Sequence, residues 1–87
     1  MQIKNVMLQP KLLSVKPIEL SQLILEYETG EKKIFDVKPY INGSWYGELA
    51  DAKYFNTVHL IAGGCGIEWE NGQDIAPHEL YDNSVKY

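Results

Sequence analysis

The side chains of this 87-residue chain that could do acid–base, metal or nucleophilic chemistry are two histidines, one cysteine and a scatter of carboxylates. They are His59, His78 and Cys65 and, among the acids, Asp36, Glu48, Asp51, Glu68, Glu70, Asp74 and Glu79. They are densest in GIEWENGQDIAPHELY, residues 66–81, which also holds Trp69, Pro77 and Tyr81. A zinc site needs three or four ligands, and neither an HxxxH nor a CxxC spacing occurs. Cys65, in GGCGIEW, has neither a neighbouring cation nor a helix start to lower its pKa, so an inert, partly buried thiol is expected. The glycines around it would cradle a phosphate only if a helix came directly after them. The next residues are IEWE, a strand-like run, so Gly63, Gly64 and Gly66 are expected to form a tight turn. Paired carboxylates cleave glycosides only when held at a set separation in a cleft, and a small domain rarely holds one unaided. Solvated acids and turn caps are the better account. No catalytic residue, metal ligand or cofactor is therefore expected.

Composition narrows the partners. Eighty-seven residues make one domain, spanning residues 1–87, with one thin core. Hydrophobic residues at 45% and charged residues at 23% are ordinary globular proportions. The net charge is −4, and all eight basic residues are lysine. Without the bidentate arginine fork or clustered positive charge, direct nucleic-acid binding is not expected. A basic protein is the better partner for an acidic chain. A lone cysteine, no apolar run of signal-peptide length and no membrane-length stretch point to a reducing cytoplasm. The Asn42-Gly43-Ser44 sequon then carries no meaning.

The elements that must position these residues emerge from alternation. In QLILEYE, Leu23, Leu25 and Tyr27 share one face of a strand. ETGE turns at Gly30, and KKIFDVKP resumes with Phe35 and Val37 inward until Pro39. KLLSVKP reads likewise, predicting a three-stranded antiparallel meander. Residues 40–55, rich in glycine and aromatics, predict a loop with short helical turns around Gly47 to Tyr54. NTVHLIAGG predicts a fourth strand with Val58 and Leu60 inward and His59 outward, a surface or satisfied sheet histidine. GIEWE predicts a fifth strand, Gly72 permits the turn after it, and a short helix begins at Pro77. Ala76 is a weak cap, so Asp74 is expected to cap from two residues earlier, with Leu80 the core anchor. The fold class is α+β: about five antiparallel strands, short helical turns mid-chain and a short C-terminal helix.

Aromatics carry the one binding hypothesis. Most of Trp45, Tyr46, Tyr54, Phe55 and Trp69 are expected in the core. Tryptophan and tyrosine also dominate binding hot spots, and GSWYG reads as loop. Trp45, Tyr46 and Tyr54, with the acids Glu48 and Asp51, form the candidate interaction surface.

The chain resembles the bacterial domain-of-unknown-function family DUF2442 from about Leu13 to Ser84. The resemblance rests on LEYETGEKKIFDVKPY with Gly30 and Asp36, on GELADAKYF and VHL, and most specifically on GIEWENGQDIAPHELY. In the last stretch Trp69, Gly72, Asp74, Pro77, Leu80 and Tyr81 match the family pattern. The resemblance implies a small α+β domain without assigned catalytic residues. Some relatives are fused to a DNA-binding helix-turn-helix as regulators, whereas these 87 residues are expected to hold no DNA-reading helix. Others are encoded beside a second small protein in a toxin–antitoxin-like pair. The leading expectation is a non-enzymatic interaction or regulatory module, the antitoxin-like half of such a pair with a basic neighbour as partner. The alternative is a small-ligand sensor with a pocket near Trp45, Tyr46 and Trp69. A hydrolase using Asp74 and His78 is the remote third. An exposed sheet edge would allow a homodimer.

Overall fold

A computed structural model describes residues 9–87. Residues 1–8, where the expected single domain starts, lie outside the described residues. The expected meander is present: β1 (Leu12–Ile18), β2 (Gln22–Tyr27) and β3 (Lys32–Asp36) pair antiparallel in sequence order. Alternation places Leu23, Leu25, Tyr27 and Phe35 inward, none more than 2% exposed. Leu12 and Val15 both pack on the core, which strict alternation would not allow. A bulge between Leu12 and Ser14 leaves Leu13 unpaired and 59% exposed, and so resets the period. Pro17 lies on this edge strand, where a missing N–H is tolerated.

The third strand is shorter than expected. It stops at Asp36, whose Oδ1 accepts from the Lys38 N–H at 3.0 Å, and Val37 is already helical. A 3-10 turn occupies Lys38–Tyr40, so the local side-chain bond ends the strand before Pro39 does. The helical turns also begin earlier than Gly47. They run through α1 (Gly43–Tyr46), a 3-10 turn (Gly47–Ala50) and α2 (Ala52–Phe55), the last capped by Asp51, whose carboxylate accepts from Lys53 N.

The later strands do not extend the meander into one sheet of about five strands. β4 (His59–Leu60), β5 (Ile67–Glu68) and β6 (Asp74–Ile75) form a separate three-stranded sheet. β7 (Val85–Lys86), coming after α3 (Pro77–Asn83), closes the first sheet against β3. Each of these strands is two residues long, too short for alternation to reveal β6 or β7. Asp74 consequently does not cap α3: it pairs with Glu68 in β6, and Ala76 stands at the N-cap without a side-chain bond. Pro77 does open the helix, as expected.

Trp69, Ile67, Ile75, Leu80, Leu49 and Phe55 fill the space between the two sheets and the helical turns. Leu80 is 0% exposed and anchors α3. Tyr81 stands edge-on to Tyr27, with ring centroids 5.1 Å apart. The Tyr27 hydroxyl is the exception in this core. It is buried without a hydrogen-bond partner among the described residues. Burial, and then the nearby Tyr81, Glu31 and Asp82, push its pKa up to about 12. A buried hydroxyl that makes no bond costs roughly 1–3 kcal/mol of desolvation. Tyr27→Phe is therefore expected to raise stability by about 1 kcal/mol, checked by urea denaturation. A loss of stability would show that the hydroxyl is solvated or bonded.

Candidate functional site

Four of the five residues of the predicted interaction surface, Trp45, Tyr46, Glu48 and Tyr54, converge on the hairpin that joins β5 to β6. That hairpin closes because the Trp69 N–H donates to Gln73 O at 2.8 Å and the Gly72 N–H to Trp69 O at 2.9 Å. Gly72 sits at φ 105°, which a side chain would resist, so the loop requires a glycine there. Alternation then turns Gln73 and Ile75 inward and Asp74 outward, and Gln73 is 0% exposed.

Gln73 ties the aromatic loop to this hairpin. Its Nε2 donates to Trp45 O at 2.9 Å and to Glu48 Oε1 at 2.6 Å, while its Oε1 accepts from the Tyr54 hydroxyl at 2.6 Å. The Tyr54 oxygen in turn accepts from Asn71 N at 2.7 Å, and Asn71 Nδ2 donates to Glu48 Oε1 at 3.1 Å. Hydrogen bonds from Asn71 and then Gln73 hold the Glu48 carboxyl below the usual carboxylate range. Tyr46 adds a bond from its hydroxyl to Asp74 O at 3.0 Å. Gln73, the one buried member, has both ends of its amide partnered, which fixes one arrangement of the loop on the hairpin.

The result is a tryptophan displayed from a fixed base. Trp45 is 48% exposed, and its ring edge lies over Gly72, 3.8 Å from where a Cβ would stand. Trp45, Glu48, Glu70 and Asp74 are exposed in this part of the chain, while Tyr46 and Tyr54 are half-buried. Along the sequence, residues 39–85 hold one lysine, Lys53, against seven acids, a net charge of −6 for that stretch. Asp51, the fifth residue, serves chiefly as the α2 cap. Gln73 and Asn71 organise the site without announcing themselves in sequence. NGQD has the look of a solvated turn, and only the strand phase of Gln73 and Ile75 hints otherwise.

The remaining chemical candidates are placed apart. Trp69 is 1% exposed, with its indole N–H donated to Phe55 O at 2.8 Å, so it cannot line a pocket with Trp45 and Tyr46. Asp74 and His78 are exposed on β6 and α3, and no hydrogen bond or ion pair joins them among the described residues. Cys65 is exposed, not partly buried, and follows a turn in which Gly63 and Gly64 both take left-handed conformations. Across the β4–β5 pair, His59 Nε2 lies 3.1 Å from Glu68 Oε2 and Nδ1 lies 3.1 Å from Thr57 O. Two acceptors on the two ring nitrogens favour imidazolium; the Thr57 carbonyl first, and then Glu68, raise the histidine pKa. The strand register His59↔Glu68 brings this pair together. Among the described residues no group of three His, Cys, Asp or Glu is placed to hold a metal ion. Nor is any of their helices long and apolar enough to cross a membrane.

The family model described as "Protein of unknown function (DUF2442)" matches residues 12–86. This chain belongs to the DUF2442 family. The match spans both sheets and α3, so the Trp45–Gln73 assembly of this DUF2442 chain lies wholly within the family domain. No curated protein and no solved structure matches the chain.

Proposed function

We propose that this DUF2442 chain is a non-enzymatic protein-interaction module of the bacterial cytoplasm. Its binding face is the Trp45 surface, and its partner is a basic protein, in keeping with the antitoxin-like half of a two-gene pair. One observation carries this function. A large half-exposed aromatic stands on a part-buried hydrogen-bond network centred on Gln73, in a stretch of the chain rich in acids. Rigid, amphipathic tryptophan gives contact area at little entropic cost, and surrounding carboxylates select positive charge.

The test is capture of partners from the host's lysate by the tagged wild type and by Trp45→Ala in parallel. The wild type is expected to bring down a stoichiometric basic protein. Trp45→Ala is expected to weaken that complex by about 30-fold or more, corresponding to the roughly 2 kcal/mol of a hot-spot aromatic. Equal recovery by both proteins would rule out this surface.

A further inference from the structure

Trp45 and Glu48 stand three residues apart, and Tyr46 and Gly47 between them keep right-handed helical backbone. Residues so spaced on a helical path are neighbours on its surface. Both side chains also touch the turn that joins β5 to β6. Asn71 Nδ2 donates to Glu48 Oε1 at 3.1 Å, and a Cβ on Gly72 would stand 3.8 and 4.0 Å from Trp45 Cζ2 and Cη2. Consecutive Cα atoms lie about 3.8 Å apart, so the carboxylate and the indole rest on adjacent residues of one turn.

Both groups have binding capacity left over. The bonds from Asn71 and Gln73 go to Oε1, and Glu48 Oε2 accepts none among the described residues. The same two bonds keep the carboxyl ionised below the usual carboxylate range. The ion pair among the described residues joins His59 to Glu68, so no cation of theirs neutralises Glu48. Nor does one of their rings or cations cover the half-exposed indole. The ring pairs are Tyr27–Tyr81, Phe35–Tyr40 and Phe55–Trp69, and the cation over a ring is Lys33 on Tyr81.

An open indole beside a charged carboxylate can hold one cation through both. Guanidinium suits that pair best: it is planar and weakly hydrated, stacks on an aromatic ring and points N–H groups sideways at a carboxylate. The ammonium of lysine is compact and keeps its water. These 87 residues contain no arginine, so a second copy of them cannot supply the guanidinium and a different protein must.

We infer that Trp45 and Glu48 form a binding site for one arginine side chain of the partner protein, an inference that rests on the Trp45 face being the surface that binds. The guanidinium lies over the indole, and its N–H groups donate to Glu48 Oε2.

The test is an NMR titration with three capped tripeptides, carrying arginine, lysine or citrulline between two alanines, at ionic strength held constant with chloride. Citrulline keeps the planar shape of arginine without its charge. The arginine peptide is expected to give saturable shifts of the Trp45 indole N–H and the Gly72 amide. It should bind about tenfold more tightly than the citrulline peptide. Trp45→Leu should abolish the saturable shift at Gly72. Glu48→Gln keeps an oxygen for Asn71 and Gln73 but removes the charge, and should weaken the arginine peptide about threefold while leaving citrulline unchanged. Glu26→Gln, which removes the same charge from β2, should bind as the wild type does. Lysine or citrulline binding as tightly as arginine, or an equal loss with Glu26→Gln, would overturn the arginine site. Capture from the lysate with Glu48→Gln separates the two readings. A partner lost with Trp45→Ala but bound by Glu48→Gln with unchanged affinity would overturn the arginine site and leave the interaction module standing.

Discussion

Gly64→Ala is expected to lower the stability of the domain by about 3 kcal/mol or more, the sum of two separable costs. Gly64 has φ 71°, and a left-handed non-glycine residue costs roughly 1–2 kcal/mol. The second cost is steric: a Cβ there would stand 2.5 Å from Leu12 O and 3.2 Å from Leu12 N. Backbone cannot swing aside as a side chain can, and forced shifts in packed regions cost roughly 1–3 kcal/mol. Leu12 begins β1 of one sheet and Gly64 belongs to the β4–β5 hairpin of the other, so the clash falls where the two sheets meet. For a domain of this size the melting temperature should fall by roughly 10–20 °C. Gly63→Ala supplies the control. Gly63 also has a positive φ, 85°, but its Cβ would meet only Cys65 Sγ at 3.6 Å. Thermal unfolding should separate the two variants clearly, and equal losses would show that the close approach contributes nothing.

Gln73→Leu is the second large effect, and it links stability to the proposed binding face. Leucine fills much the same space, so the loss isolates the amide. Without it the Tyr54 hydroxyl and the Trp45 carbonyl lose their Gln73 bonds, and Glu48 keeps only its bond from Asn71. Groups left unsatisfied in a part-buried network cost roughly 1–3 kcal/mol each, although relaxation toward water recovers some of it. A net loss of about 3 kcal/mol is expected by urea denaturation. The two indole N–H signals report the local consequence. That of Trp45 should move or broaden as its base loosens, while that of Trp69, bonded to Phe55 O, should stay in place. An unmoved Trp45 signal would mean that the ring is held by its contact with Gly72 and not by the amide.

The Trp45 site is only half legible in the sequence. Trp45, Tyr46, Glu48 and Tyr54 stand out because aromatics beside acids in a glycine-rich loop are unusual by type. Gln73 does not, because a glutamine after Asn71-Gly72 has the composition of a solvated turn. Its role depends on β6, a strand of two residues that exists only because Asp74 and Ile75 are placed alongside Glu68 and Ile67. The pairing of Lys33 with Lys86 is equally hidden, since the two lie far apart in the chain and meet only through the β3–β7 register. The turn between β1 and β2 likewise runs against local propensity. Leu20 and Ser21 both take positive φ, 65° and 60°, which neither residue favours. Ser21 O accepts from Val37 N at 2.9 Å, a tertiary bond that helps to hold the turn.

Local pattern suffices for the meander, its inward residues, the opening of α3 at Pro77, the burial of Trp69 and Leu80, and the α+β class. Those features arise from side-chain periodicity and from the backbone limits of glycine and proline, both of which act within a few residues. The division into two sheets, the exposure of Trp45 and Cys65, the burial of Gln73 and the pairing of Lys33 with Lys86 come only with the assembled fold. Each of them depends on which distant backbone groups find hydrogen-bond partners, and a two-residue strand has no pattern until its neighbour is in place.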